Sequence, residues 1–112
     1  MEAAEKYNNA LILLQNDDER LIYIFERQGT VLGKQEKFQQ AIKFYMTAIK
    51  TGKRLNIIDN NVVNAYLGLS YCQTKIGNIP WAIINYKSAW KLTKSESIKR
   101  KIEKVLERLK TE

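Results

Sequence analysis

FQQAIKFYMTAI at residues 38–49 and IPWAIINYKSAW at residues 79–90 share the pattern A-I-x-x-Y-x-x-A in one register. Ala41, Ile42, Tyr45 and Ala48 answer to Ala82, Ile83, Tyr86 and Ala89 at an offset of 41 residues. Spacings of i, i+4 and i+7 put the two alanines and the tyrosine on one face of a helix. The pair reads as one helical unit used twice, with the shared residues in the core. The second copy carries Trp81 and Ile84 where the first has Gln40 and Lys43. These two side chains lie off the shared face. Either the C-terminal segment folds back over them or they form a second contact patch, and partial cover is the expectation.

The offset extends into the preceding segments, where Phe25 answers to Tyr66, Gly29 to Ser70 and Val31 to Cys72. Small residues at 29/70, 41/82 and 48/89 permit close helix–helix approach, and large ones at 25/66, 42/83 and 45/86 fill the space beside them. A third, partial copy is Ala3-x3-Tyr7-x2-Ala10. It reads as the second helix of an earlier unit, acting as an N-terminal cap or, as favoured here, belonging to a longer array.

A chain of 112 residues is the size of one domain with one core. Its 45% apolar and 28% charged residues make it globular, and one Pro and five Gly favour helices over a turn-rich β fold. The net charge of +7 is uneven: residues 1–20 are acidic, and residues 91–112 carry eight Lys/Arg against four Glu. That basic end is a solvated lysine-rich helical surface, or a site for an acidic partner, a nucleic acid or a membrane surface. A single cysteine, Cys72, excludes an internal disulfide. No leader peptide is evident, and no apolar run approaches the roughly 20 residues that span a bilayer. A soluble, cytoplasmic protein is the expectation.

Six helices are expected. Ala3, Tyr7, Ala10, Leu11 and Leu14 stripe the first, over 1–15. Asn16, Asp17, Asp18 and Glu19 cap a second, over about 18–34, and a third runs from Lys37 to about Arg54. Residues 55–60 form a loop whose Leu55, Ile57 and Ile58 tuck onto the core. Asp59 or Asn60 caps a fourth helix, and Gly77-Asn78 ends it. Pro80 opens a fifth, with Trp90 in its core face. Thr93-x-x-Glu96 has capping-box spacing for a last helix over 95–110, striped by Ile98, Ile102, Val105, Leu106 and Leu109.

The repeated positions resemble the tetratricopeptide repeat (TPR), whose pattern is W-x2-L-G-x2-Y…A-x3-F…A. Here it reads Phe25-x2-Gln28-Gly29-x2-Leu32…Ala41-x3-Tyr45…Ala48, then Tyr66-x2-Leu69-Ser70-x2-Gln73…Ala82-x3-Tyr86…Ala89. Gln28 and Gln73 depart from the family's Leu and Tyr, and the trailing Pro is absent. The spacing of about 40 residues, against the usual 34, is similar to the longer TPR variety of kinesin light chains and bacterial peptide-sensing regulators. The resemblance implies an all-α, right-handed superhelix of antiparallel helix pairs in a single domain. Its parts are a half-repeat at 1–15, repeats at 18–55 and 60–93, and a capping helix at 95–110.

The resemblance also implies a concave groove, lined by the first helix of each pair, that holds a peptide segment or partner helix. The matching positions are Tyr23, Arg27, Thr30 and Lys34, then Asn64, Leu67, Tyr71 and Lys75. Their i, i+4, i+7, i+11 spacing sets them on a face offset from the apolar stripe. Some TPR domains grip chaperone carboxylates with Lys and Asn; Glu26, Thr30 and Gly68 stand there in this chain, which argues against that activity. With no His and one Cys, the chain lacks the common general base and the usual zinc ligands. No phosphate-binding glycine loop occurs. A non-catalytic protein–protein interaction scaffold without cofactor or metal is therefore the expectation. The alternatives are a basic nucleic-acid-binding module using Tyr23, Tyr71 and Trp81, and homodimerisation through a terminal helix.

Overall fold

The computed structural model of the chain describes residues 18–111. Their regular structure is five α-helices: α1 Arg20–Lys34, α2 Phe38–Leu55, α3 Asn60–Lys75, α4 Ile79–Leu92 and α5 Glu96–Thr111. The helix expected over 1–15 lies outside the described residues. Each helix packs on the next, and α1 also packs on α3, whereas α2 and α4 do not meet. The result is an all-α helical-repeat arrangement, with the first helices of two pairs side by side and the second helices apart.

Local chemistry sets the boundaries. Asp18 accepts from the Arg20 guanidinium and amide, and these bonds hold its carboxyl down at about 2. The Asp59 side chain accepts from the Val62 N–H at 3.0 Å and starts α3. Gly77, at φ 84°, ends it, and the next N–H, of Asn78, returns to Gln73 O at 2.8 Å. The same turn follows α1 without glycine: Glu36 takes φ 61° and the Lys37 N–H reaches Leu32 O at 2.9 Å. Left-handed backbone costs a non-glycine residue about 1–2 kcal/mol.

Two expected details change. Thr93 and Glu96 do not form a capping box. Thr93 is extended at the end of α4, and its hydroxyl accepts from Ser95 N–H. Ser95 then caps α5 by accepting from the Ile98 N–H at 3.2 Å. In the 55–60 loop Ile57 packs against the core, but Ile58 is 65% exposed because Asn56, at φ 56°, turns the chain outward.

The core holds the repeated residues. Ala41, Ala48, Ala82 and Ala89 are fully buried, and Tyr45 and Tyr86 nearly so. Tyr45 reaches from α2 into the seam between α1 and α3. A Cβ built on Gly29 would fall 2.9 Å from its ring; one on Gly68 would fall 2.6 Å from Cε1 and closer still to Cζ. Its hydroxyl lies 3.0 Å from Thr30 Oγ1, which donates to buried Glu26 Oε2 at 2.7 Å. One tyrosine thus fastens three helices.

The last helix is attached differently. Ile102 and Leu109 are buried, and Ile98, Val105 and Leu106 pack partly against the core, yet α5 meets only α4 among the described helices. Trp90, expected in the core, is instead 38% exposed at the α4–α5 seam. Its indole N–H donates to Glu103 Oε2 at 2.9 Å, and Lys99 Nζ lies 4.7 Å from the ring centroid. Ile49, at the matching position of α2, is buried because α3 packs on both helices of the preceding pair; α5 packs on one.

Candidate functional site

Two surfaces carry the candidate residues. On the first, Tyr23, Lys34, Asn64, Tyr71 and Lys75 are exposed, while Arg27, Thr30 and Leu67 are half-buried. Tyr71 packs edge-on against Phe38, centroids 6.2 Å apart at 70°, and Lys75 Nζ lies 5.5 Å from its ring centroid. These contacts pre-order Tyr71 and Lys75 as a unit. The Thr30 hydroxyl is engaged by Glu26 and Tyr45, and Leu67 packs against the core. Glu26 is buried, and the space beside Gly68 is filled by the Tyr45 ring. Positions 26, 30 and 68 therefore present no Lys or Asn to a carboxylate.

The second surface is an open cleft of about 560 Å³. Its walls are α2, with Ile42, Met46 and Ile49, and α4, with Trp81 and Ile84; Tyr66 and Leu69 of α3 form its floor. Asn85 Nδ2 ties wall to floor by donating to Gln73 Oε1 at 2.9 Å. None of the eight residues of the first surface lines it. Trp81 is 55% and Ile84 51% exposed, so they are not covered as expected. The last helix cannot cover them, because it packs on the other side of α4 through the Trp90 seam. Sequence reading missed the α2 wall. The signal was a second apolar stripe, Ile42, Met46 and Ile49, one residue behind Ala41, Tyr45 and Ala48.

Cys72 is buried. Burial pushes its thiol up to about 11, from an ordinary 9.0. An unfolded chain releases this proton first, so the contribution to stability is full below about pH 9 and is lost as pH rises through about 11. Burial raises the Tyr45 and Tyr86 hydroxyls in the same sense. Thermal melts should therefore show a midpoint that falls between about pH 9 and 11, with Cys72→Ala flattening the early part of the fall. A midpoint flat over that range would contradict the burial argument.

No helix among the described residues is long and apolar enough to cross a membrane. No protein-family model matches the chain, and no curated protein or solved structure matches it either. Its likeness to helical-repeat proteins rests on its own repeated residues and on how its helices pack.

Proposed function

We propose that this chain is a TPR-like, non-catalytic interaction module that binds a peptide segment or partner helix along α1 and α3. In this reading the helix pairs form a right-handed superhelix with a repeat of about 40 residues. Tyr23, Arg27, Thr30, Lys34, Asn64, Leu67, Tyr71 and Lys75 line the groove. The observation that carries it is the direct packing of α1 on α3 with their tyrosines, Tyr23 and Tyr71, left in solvent. Exposed tyrosines with few rotatable bonds are favourable contact residues. The two lysines, Lys34 and Lys75, stand at matching repeat positions and give one end of the face positive potential.

The test is a pull-down with identification by mass spectrometry, followed by affinity measurement on each recovered partner. Tyr71→Ala combined with Lys75→Ala is expected to weaken groove binding about tenfold or more while the domain stays folded by circular dichroism. Unchanged affinity for every recovered partner would sink the groove assignment.

A further inference from the structure

We infer that the cleft between α2 and α4 is a second docking site, on a face distinct from the proposed groove, and that its occupant is an acidic amphipathic helix of a partner protein. The first observation is clustering. Of the eight large apolar side chains exposed among the described residues, Met46, Ile76, Trp81 and Ile84 line this cleft. A fifth, Ile58, lines an adjoining hollow of about 240 Å³ that shares Ile49, Lys53 and Tyr66 with it. Exposed apolar residues gathered in one concave place, rimmed by polar ones, mark an interaction surface rather than random exposure.

The second observation is charge. The three helices that frame the cleft carry seven Lys/Arg, four on α2, one on α3 and two on α4, and no Asp or Glu. Lys50 and Lys53 stand on the α2 wall itself, whereas the α4 wall ends in neutral Asn85 and Ser88. A ligand with acidic residues on one flank therefore matches the site, and a basic one is repelled.

Shape and lining choose among acidic ligands. Two helices that stand apart over a third leave a trough that a helix fills at ordinary interaxial distances of about 8–10 Å. On α2 the lining runs from Gln39 to Lys53, which makes the trough roughly 20 Å long on that side, three to four turns of a bound helix. Its apolar lining is mostly aliphatic (Ile42, Met46, Ile49, Leu69, Ile76 and Ile84), which suits Leu, Ile or Met at i, i+3/i+4, i+7. Single-stranded nucleic acid instead requires stacking platforms along the path, and Trp81 is the one such ring exposed in this cleft.

The experiment pans a phage-displayed library of random peptides, about 16 residues long, on the full 112-residue chain. Enriched peptides should combine apolar residues at helical spacing with Asp or Glu. Lys50→Glu with Lys53→Glu should weaken the best synthetic peptide about tenfold or more, and Ile84→Ser likewise. Tyr71→Ala with Lys75→Ala should leave it unchanged, which separates this site from the groove. In a Trp90→Phe background, the peptide should shift Trp81 emission to shorter wavelength. Trp81, Ile84 and both lysines are exposed, so circular dichroism should report an intact fold in each variant. Three results overturn the inference. One is enrichment that is basic or indifferent to Ile84. The second is an oligonucleotide that displaces the peptide and binds with a steep salt dependence. The third is self-association abolished by Ile84→Ser, which would assign the cleft to a second copy of this chain.

Discussion

Gly68→Ala is expected to destabilise the fold by about 2–3 kcal/mol, lowering the melting midpoint by roughly 8–12 °C for a chain of this size. By helix propensity alone the change should help, since Gly is about 1 kcal/mol worse than Ala in a helix. Packing decides otherwise. The new Cβ would enter the Tyr45 ring at 2.6 Å or less. That ring has little room to retreat, because Gly29 of α1 also lies against it and Thr30 bonds its hydroxyl. Gly33→Ala is the control: its Cβ would meet only Cys72 Sγ, at 3.9 Å. There the propensity gain should survive as about 0.5–1 kcal/mol of stabilisation. In a Tyr45→Ala background the cost of Gly68→Ala should vanish, a coupling of about 2 kcal/mol that a double-mutant cycle measures. Thermal melts on the variants suffice. If Gly68→Ala is as benign as Gly33→Ala, the tyrosine does not fasten α3.

Ile102→Ala should cost about 2–4 kcal/mol, but the loss should first appear in α5 alone. Ile102 is 2% exposed and lies among the buried residues of the core. Its helix, however, meets only α4 among the described helices. A helix held by a single neighbour can open without disturbing the others, so weakening it should show as local unfolding. Hydrogen exchange should accelerate in α5 by roughly 30-fold, corresponding to about 2 kcal/mol, with α1–α3 little changed. Leu69→Ala, in the middle of the array, should instead lower protection across α2, α3 and α4. Equal acceleration in every helix of the Ile102→Ala variant would mean that α5 unfolds only with the rest of the helices.

The buried positions most legible in the sequence are ones the repeat prints twice. Ala41/Ala82, Ala48/Ala89 and Tyr45/Tyr86 are buried because helix period fixes a face and small residues allow close approach. Asp59 and Gly77 marked helix ends through local chemistry, which needs no partner in space. Thr93 misled because a capping box can be written at several registers, and the extended backbone that joins α4 to α5 moved the cap to Ser95. Trp90 misled because its match to Ile49 presumed a following helix that packs on both members of the pair.

The sequence alone determined the helix count in the described region and the repeated alanine–tyrosine core face. Both follow from period and spacing along a single helix. Tertiary structure alone decided that Gly68 makes room for Tyr45, that α5 leans on α4 only, and that Trp81 and Ile84 open onto a cleft with Met46 and Ile42. Each of these depends on which helix stands opposite, and at what distance. α3 packs on both helices of the preceding pair, while α2 and α4 remain apart, and that separation turns two odd residues of one helix into the wall of a site.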